Sequence, residues 1–115
     1  MEIYDKAHEL AKSIHSAKEY QALLDAGKEL AKDPKAAKLV KEYLMLQAQL
    51  AYAQSMGDKP IKKKVDQLNT MADQIKQNAE AMTYLHNYTV WQSMAGEIFQ
   101  IIQNAMAEGM SILDQ

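Results

Sequence analysis

The sequence predicts an all-α fold of about five helices, packed as antiparallel hairpins in a bundle with a long C-terminal helix. Apolar residues recur every three or four positions throughout the chain, and no segment alternates apolar and polar residues as a half-buried strand does. The 115 residues include only four glycines and two prolines, which leaves little material for loops. A chain of this length is expected to form one domain, residues 1–115, and to bury about two-thirds of its unfolded surface.

Two helices are predicted in the first third of the chain. The first has one apolar face, made by Ile3, Ala7, Leu10 and Ile14. It should end near residue 15, because Ser16 and Glu19 have the spacing of a capping box, in which the serine hydroxyl accepts a hydrogen bond from the Glu19 amide. The second helix has its apolar side at Tyr20, Leu23, Leu24, Gly27, Leu30 and Ala31.

Prolines and glycines mark the next two helices. Asp33-Pro34 predicts a helix start, since aspartate suits the N-cap and proline suits the first helical position. A third helix should run from Pro34 to about Ser55 and end at Gly57, with Pro60 starting the next helix. The fourth helix is predicted from apolar residues that again step by four and three: Ile61, Val65, Leu68, Ala72 and Ile75.

The fifth predicted helix is unusually long. The apolar seam of helix four changes phase after Ile75, and Asn78 is a good N-cap at which to break the chain. Helix five would then span residues 79 to 113, on the order of 50 Å at about 1.5 Å per residue. A compact chain of this size has a radius of gyration of about 13 Å. We therefore expect a molecule that is elongated or paired with a second copy.

Composition excludes several kinds of site. The chain has no cysteine, which excludes disulfides, thiolate zinc sites and cysteine-ligated iron–sulfur clusters, and no cofactor is predicted. All thirteen basic residues are lysine and the net charge is -2. The lack of arginine disfavours phosphate clamps and base readout, so we expect no nucleic-acid partner. No apolar run reaches 18 residues and no secretory signal is visible, which predicts a cytoplasmic protein without membrane contact.

No pattern of side chains predicts catalysis or metal binding. His8 and His15 are two helical turns apart, about 10 Å, which is too far to share one metal ion. His86 is isolated in helix five, and no Glu-x-x-His pair, Gly-x-Ser-x-Gly elbow or glycine-rich phosphate loop occurs. The chain is therefore predicted not to be an enzyme. An unrecognised enzyme or metal protein around His8 and His15 stays open as an alternative.

A stripe of apolar residues on helix five is the candidate interface with a second copy or a partner. It consists of Tyr84, Tyr88, Trp91, Ile98 and Ile102. Tyrosine and tryptophan are enriched in interface hot spots, but aromatic residues at helical spacing are also typical of a core. Because both uses have the same period, the sequence leaves the two interpretations open. Eight methionines add adaptable apolar surface that suits either one.

Four lysines form a basic tip between helices three and four: Lys59, Lys62, Lys63 and Lys64. Three of them fall in the first turn of helix four, where the helix dipole is already positive and each added charge costs roughly a few tenths of a kcal/mol. The tip is either a solvated hairpin end or a surface that meets an acidic partner or an RNA backbone. Without arginine or interleaved aromatic residues, sequence-specific readout is not expected.

Several segments together resemble the YlbF/YmcA family, and in particular its YheA-like branch of small proteins from Gram-positive bacteria. The similar segments are residues 3–11, the Ser16 to Tyr20 segment, Asp33-Pro34, and Asn78 through Leu85 before a long apolar helix. The resemblance implies an all-helical fold and a dimer or higher oligomer. It also implies a non-enzymatic role, since some members join a regulatory complex linked to competence, biofilm formation and ribonuclease-dependent RNA processing.

Two differences limit what the resemblance implies. Complex-forming members carry cysteines associated with iron–sulfur binding, whereas this chain has none. The family's Asn-Pro before the last helix is Asn78-Ala79 here. We expect a non-enzymatic cytoplasmic protein-interaction module that forms a homodimer and acts as a regulatory adaptor for a protein partner. The alternatives are an RNA-associated accessory factor that uses the basic tip, and the unrecognised enzyme or metal protein.

Overall fold

A computed structural model describes residues 1–114 of the chain. It contains five α-helices, followed by a 3₁₀ turn at Ile112–Asp114: α1 Glu2–Ser16, α2 Lys18–Ala31, α3 Pro34–Ser55, α4 Lys62–Lys76 and α5 Ala79–Met110. No strand occurs within residues 1–114. The predicted all-α fold with about five helices is confirmed.

The two predicted N-caps have the expected geometry. One carboxylate oxygen of Asp33 accepts a hydrogen bond from the Ala36 amide at 3.1 Å. The side-chain oxygen of Asn78 accepts one from the Ala81 amide at 2.9 Å. The Asn78 side-chain amide also donates to the other Asp33 oxygen at 3.4 Å. The starts of α3 and α5 are therefore held side by side, and the predicted break between α4 and α5 is confirmed.

The turn between α3 and α4 follows the prediction closely. Gly57 has a φ of +84°, in the left-handed region that favours glycine, and it ends α3 after Ser55. The next helix starts two residues later than predicted, at Lys62 and not at Pro60. Ile61 is the N-cap residue, with an extended backbone and no side-chain hydrogen bond, and α4 begins at Lys62. Three lysines consequently occupy the first turn of α4, as predicted.

The predicted capping box at Ser16 and Glu19 does not form. Ser16 is the last residue of α1, and Ala17 is the N-cap residue of α2, with an extended backbone and no side-chain hydrogen bond. The Gln21 side-chain amide instead donates to the His15 carbonyl across the break at 2.6 Å. The break itself is confirmed, because one extended residue is enough to interrupt the helical ladder. Helix α5 also differs slightly, since it ends at Met110 rather than at residue 113.

The core lies where four helix ends meet. One buried cluster, here called the junction, joins the end of α2, the start of α3, the end of α4 and the start of α5: Leu30, Ala36, Val40, Ile75 and Ala81. Only 1% of the surface of Ile75 and none of that of Ala81 is exposed. The hydrogen bond between the two capping side chains adjoins this cluster, since Asp33 and Asn78 cap Ala36 and Ala81. Packing and capping therefore fix the same point of the fold.

The molecule is elongated, as predicted, and it is also flat. Its principal extents are 47 × 38 × 16 Å and its radius of gyration is 18.0 Å. Helix α5, with 32 residues, is about 48 Å long and accounts for the longest dimension. The accessible surface of 9173 Å² is about half of the roughly 18,900 Å² that an unfolded chain of this mass exposes. The chain thus buries about half of its unfolded surface instead of the expected two-thirds.

Candidate interaction surface

The first half of α5 packs against α2 with the two helices antiparallel. Near the end of α2, the Tyr84 ring covers Gly27 so closely that a Cβ there would lie 3.5 Å from the ring. Near the start of α2, Tyr20 meets Trp91 edge-on, with ring centroids 5.1 Å apart. The later residue of α2 thus contacts the earlier residue of α5, which shows that the two helices are antiparallel. The aromatic part of the predicted stripe therefore has neighbours within its own chain.

Tyr84 and Tyr88 occupy the groove between α2, α3 and α5. Tyr84 packs against the junction, and its ring centroid lies 6.1 Å from that of Tyr88. Tyr88 lines a shallow cleft with Leu44 of α3. Burial raises the pKa of the Tyr84 phenol, and the neighbouring Tyr88 phenolate adds to the increase. Tyr84 is consequently held in its neutral form more strongly than an exposed tyrosine.

Beyond the start of α2, the same side of α5 has no cover. Every residue from Phe99 to Met110 is exposed, and we call this segment the α5 arm. The exposed fractions of its large side chains are high, at 60% for Phe99, 70% for Ile101 and 40% for Ile102. Ile98, just before the arm, is half-buried. The predicted stripe therefore divides in two, with Tyr84, Tyr88 and Trp91 packed within the chain and Ile102 open to solvent.

Helix α1 is the second uncovered element. It contacts α2 and no other helix, and none of its residues is buried. Residues 2–13, here called the α1 arm, are all exposed, including Ile3, Tyr4 and Leu10 on its apolar side. The extended Ala17 directs α1 away from the line of α2. The sequence analysis did not include α1 in the candidate interface, although its regular apolar face and its lack of a long neighbour were signals for it.

The chain as a whole has a large excess of accessible surface, to which the two exposed arms contribute. A compact monomer of 13.0 kDa exposes about 6,300 Å². This chain exposes 9173 Å², which is about 2,800 Å² more. Specific protein–protein interfaces bury about 800 Å² on each partner, and obligate dimers bury more. The excess of accessible surface is thus larger than the area that one partner buries in a typical stable interface.

The basic tip is exposed and lies at the opposite end of the α3–α4 hairpin from the junction. Lys59 precedes Pro60 in the turn, and Lys62, Lys63 and Lys64 form the first turn of α4. None of the four belongs to an ion pair within residues 1–114. Asp58 and Asp66 are the acidic residues that flank the tip in sequence. The local charge is therefore positive on a chain that is negative as a whole.

The histidines lie apart from one another. His8 and His86 are exposed on α1 and α5, and His15 packs its ring against Tyr20 at a centroid distance of 6.0 Å. No group of three or more metal-ligating side chains occurs among residues 1–114. The cleft between α2 and α5 carries Asp25, Glu29 and Glu80 around small apolar side chains, but it is open and shallow.

Comparison with known proteins identifies the family. The sequence matches the model of the family described as "Control of competence regulator ComK, YlbF/YmcA" over residues 3–107. The chain belongs to this family. The match begins at Ile3 in α1 and continues to Ala107 in α5, so it includes residues 3–13 of the α1 arm and residues 99–107 of the α5 arm. The resemblance read from the helix boundaries is confirmed.

Relatives of this YlbF/YmcA-family chain are small streptococcal proteins named only as UPF0342 proteins. One from Streptococcus agalactiae serotype III is 24% identical over 94% of this chain and 97% of its own length. Another, from Streptococcus sanguinis, is 25% identical over 87% of this chain and 89% of its own. A solved structure, described as a protein of unknown function (DUF964) from Bacillus stearothermophilus, shares the fold with a TM-score of 0.72 and 18% identity, covering 94% of this chain and 95% of its own.

Within residues 1–114, none of the helices combines the length and the apolar character needed to cross a membrane. In the longest helix, α5, the apolar residues are interrupted by Glu97, Gln100 and Glu108, which form part of its polar side. Its exposed apolar side is therefore one face of an amphipathic helix.

Proposed function

We propose that this chain is a non-enzymatic, cytoplasmic protein-interaction module that self-associates and acts as a regulatory adaptor. The observation that carries the proposal is the pair of arms whose residues are all exposed, on a chain that exposes about 2,800 Å² more than a compact monomer of this mass. Contiguous exposed apolar surface is typical of an interaction site in a soluble protein. The family description, which names control of a competence regulator, supports a regulatory role.

Self-association is tested by light scattering coupled to size-exclusion chromatography. The expected mass is that of a dimer at micromolar concentration. Replacing Phe99 and Ile101 with aspartate should produce a monomer, because charges placed on the α5 arm would have to be buried without partners. The matched control is Gln103→Asp, which puts a charge on the polar side of the same helix segment and should leave the mass unchanged. A monomeric wild-type chain up to about 100 μM, far above the Kd of a stable dimer, would contradict self-association.

The regulatory role is tested in the organism that encodes the chain. Deletion should change the transcript profile under the control of its competence regulator, and the wild-type chain should restore that profile. The Phe99→Asp/Ile101→Asp variant should fail to restore it at equal protein level, whereas Gln103→Asp should succeed. An unchanged profile in the deletion strain would contradict a role in this regulation. Restoration by the double variant would show that the arms are not needed for it.

A second candidate function, an RNA-associated accessory factor, is favoured by one observation. Four exposed lysines without carboxylate partners within residues 1–114 are concentrated at the basic tip. Lysines bind phosphates as point charges, so such binding would be weak, independent of sequence and sensitive to salt. The absence of arginine makes this the less favoured function.

The RNA function is tested by fluorescence anisotropy with a 20-nucleotide single-stranded RNA at low and moderate salt. Replacing Lys62, Lys63 and Lys64 with glutamate should abolish binding. The control replaces Lys12, Lys28 and Lys41, which are exposed on three different helices and give the same change in net charge. Equal loss in both variants would indicate only a general charge effect, and no binding at low salt would contradict the RNA function.

A further inference from the structure

We propose that the dimer is an exchange of arms, in which the α1 arm of each copy covers the α5 arm of the other. This inference deepens the proposed function and depends on its self-association. It assigns to each uncovered surface a specific partner, which is a different segment of a second copy of this chain. The contact is reciprocal, so the dimer has a twofold axis and both copies use the same two surfaces.

The first argument is the match between the two arms. The α1 arm, residues 2–13, and the α5 arm, residues 99–110, each contain about 12 residues in helix, or about 18 Å of helix axis. Each presents one apolar side with a polar side opposite. The apolar side of the α1 arm carries Ile3, Ala7 and Leu10, and that of the α5 arm carries Ile102 and Ala105 at its centre. Two helices of equal length can therefore bury each other from end to end.

The second argument concerns the stability of α1. This helix has 15 residues and no buried residue, and its only neighbour is the start of α2. Isolated helices of about 12 to 15 residues are marginal in water. Helix α1 therefore needs a surface to pack on. The α5 arm is an apolar surface that has no neighbouring helix within residues 1–114.

The third argument is that an exchange of arms covers more of the exposed surface than any other pairing of the arms. Pairing of α5 with α5 would leave both copies of α1 uncovered, and pairing of α1 with α1 would leave both α5 arms uncovered. Exchange of the arms covers all four surfaces with one repeated contact. Together, two copies have roughly 5,600 Å² of surface beyond that of compact monomers, which exceeds what an obligate dimer of about 2,000–5,000 Å² requires.

The covering copy is a second chain and not the same one. Helices α2 and α5 are antiparallel, so a straight continuation of α2 would have brought α1 alongside its own α5 arm. The extended Ala17 prevents this, and α1 has no contact with α5 of its own chain. The direction of α1 leaves both arms open to another molecule.

Cysteine cross-linking tests the exchange directly, because the chain has no cysteine of its own. Two variants are made, Ala7→Cys in the α1 arm and Ala105→Cys in the α5 arm, and each is checked for wild-type helicity and dimer mass. The two proteins are unfolded, mixed and refolded together, then treated with a short bismaleimide. The expected result is a covalent dimer in the mixture, at least tenfold more abundant than in either protein alone.

The matched controls are Lys12→Cys and Ala107→Cys, which lie on the opposite sides of the same two arms. Their mixture should give little covalent dimer. A strong product from Ala7→Cys alone would indicate α1–α1 pairing, and one from Ala105→Cys alone would indicate α5–α5 pairing. Either result overturns the exchange while leaving self-association intact, and so does a dimer that cross-links neither here nor between Leu10→Cys and Ile102→Cys. A monomeric mass for the wild-type chain would overturn both.

Discussion

The junction and the two arms use the same kinds of side chain in opposite ways. At the junction, Ile75 is 1% exposed and is surrounded by the ends of four helices. In the α5 arm, Ile101 has the same side chain on a regular helix and is 70% exposed. Local helical structure is therefore equally good in both regions, and only tertiary cover differs. In this molecule, a segment can therefore form a regular helix without contributing side chains to the core.

The difference follows from the lengths of the helices. Helix α2 has 14 residues and runs antiparallel to α5, which has 32, so it covers less than half of α5. The α3–α4 hairpin lies at the junction end and adds no cover to residues 99–110. Only the second copy that we propose would give the α5 arm the packing that the junction already has.

The largest expected effect is the loss of packing at the junction. Ile75→Ala should lower the free energy of unfolding by about 2–5 kcal/mol, because it removes three buried carbon atoms and leaves a cavity. Ile61→Ala is the matched control, since Ile61 is 57% exposed at the hairpin turn and its truncation should change stability by less than about 0.5 kcal/mol. Urea unfolding at a fixed protein concentration measures both. Equal losses would contradict the position of the core.

A second effect should be confined to the arms. In the Phe99→Asp/Ile101→Asp protein, the backbone amides of α1 should exchange hydrogen about 100-fold faster than in the wild-type chain, because α1 loses the surface that we propose covers it. Amides of residues 75–85 at the junction should keep their protection. Hydrogen–deuterium exchange read by mass spectrometry resolves the two regions.

The control for that measurement is Gln103→Asp, which should leave the exchange of α1 unchanged. Slow exchange of α1 in the double variant would show that this helix is stable without the α5 arm, and the arm exchange would lose its second argument. Fast exchange throughout the chain would show that the substitutions had unfolded the junction as well. The exchange rates of the junction amides therefore serve as an internal control for those of α1 in the same protein.

A smaller effect is expected from the cap that joins two helix starts. Asn78→Ala removes the hydrogen bond to the Ala81 amide and the contact with Asp33, and should cost about 1 kcal/mol of unfolding free energy. Asn104→Ala, in the α5 arm, removes only an exposed hydrogen bond with Gln100 and should cost less than about 0.5 kcal/mol. Thermal or urea unfolding checks the pair. A larger loss for Asn104→Ala would place an important contact in the arm.

Local signals in the sequence predicted the helices well and the surfaces less well. Asp33, Asn78 and Gly57 determine helix ends through their own backbone and side-chain chemistry, so their positions could be predicted without the rest of the fold. The prediction of a cap at Ser16 was wrong because a capping serine must itself have a non-helical backbone, and here the neighbouring Ala17 has the extended backbone instead. Which residue becomes extended depends on how α1 and α2 meet, and a local pattern does not contain that information.

The apolar stripe shows the same limit on a larger scale. Trp91 and Ile102 belong to one face of α5 and have the same helical period, yet Trp91 meets Tyr20 and Ile102 lies beyond the start of α2. Period identifies a face, whereas the length of the neighbouring helix decides where that face is covered. The exposure of the apolar side of α1 was not predicted for a related reason, since a regular apolar face predicts burial in the core.

The smallest effect is a pH dependence at Tyr84. Burial raises the pKa of this phenol above its usual value of about 10, so the unfolded chain releases the proton first as the pH rises. Stability contributed by neutral Tyr84 is fully present below about pH 10 and decreases as the pH rises towards the folded pKa. Tyr84→Phe should therefore lose less stability than the wild-type chain between neutral and high pH. Tyr52→Phe, at a side chain 68% exposed, should behave like the wild-type chain in urea unfolding. An identical decrease of the unfolding free energy with pH in all three proteins would show that other groups control the alkaline transition. It would also show that the Tyr84 phenol is as accessible to water as the side chains of the arms.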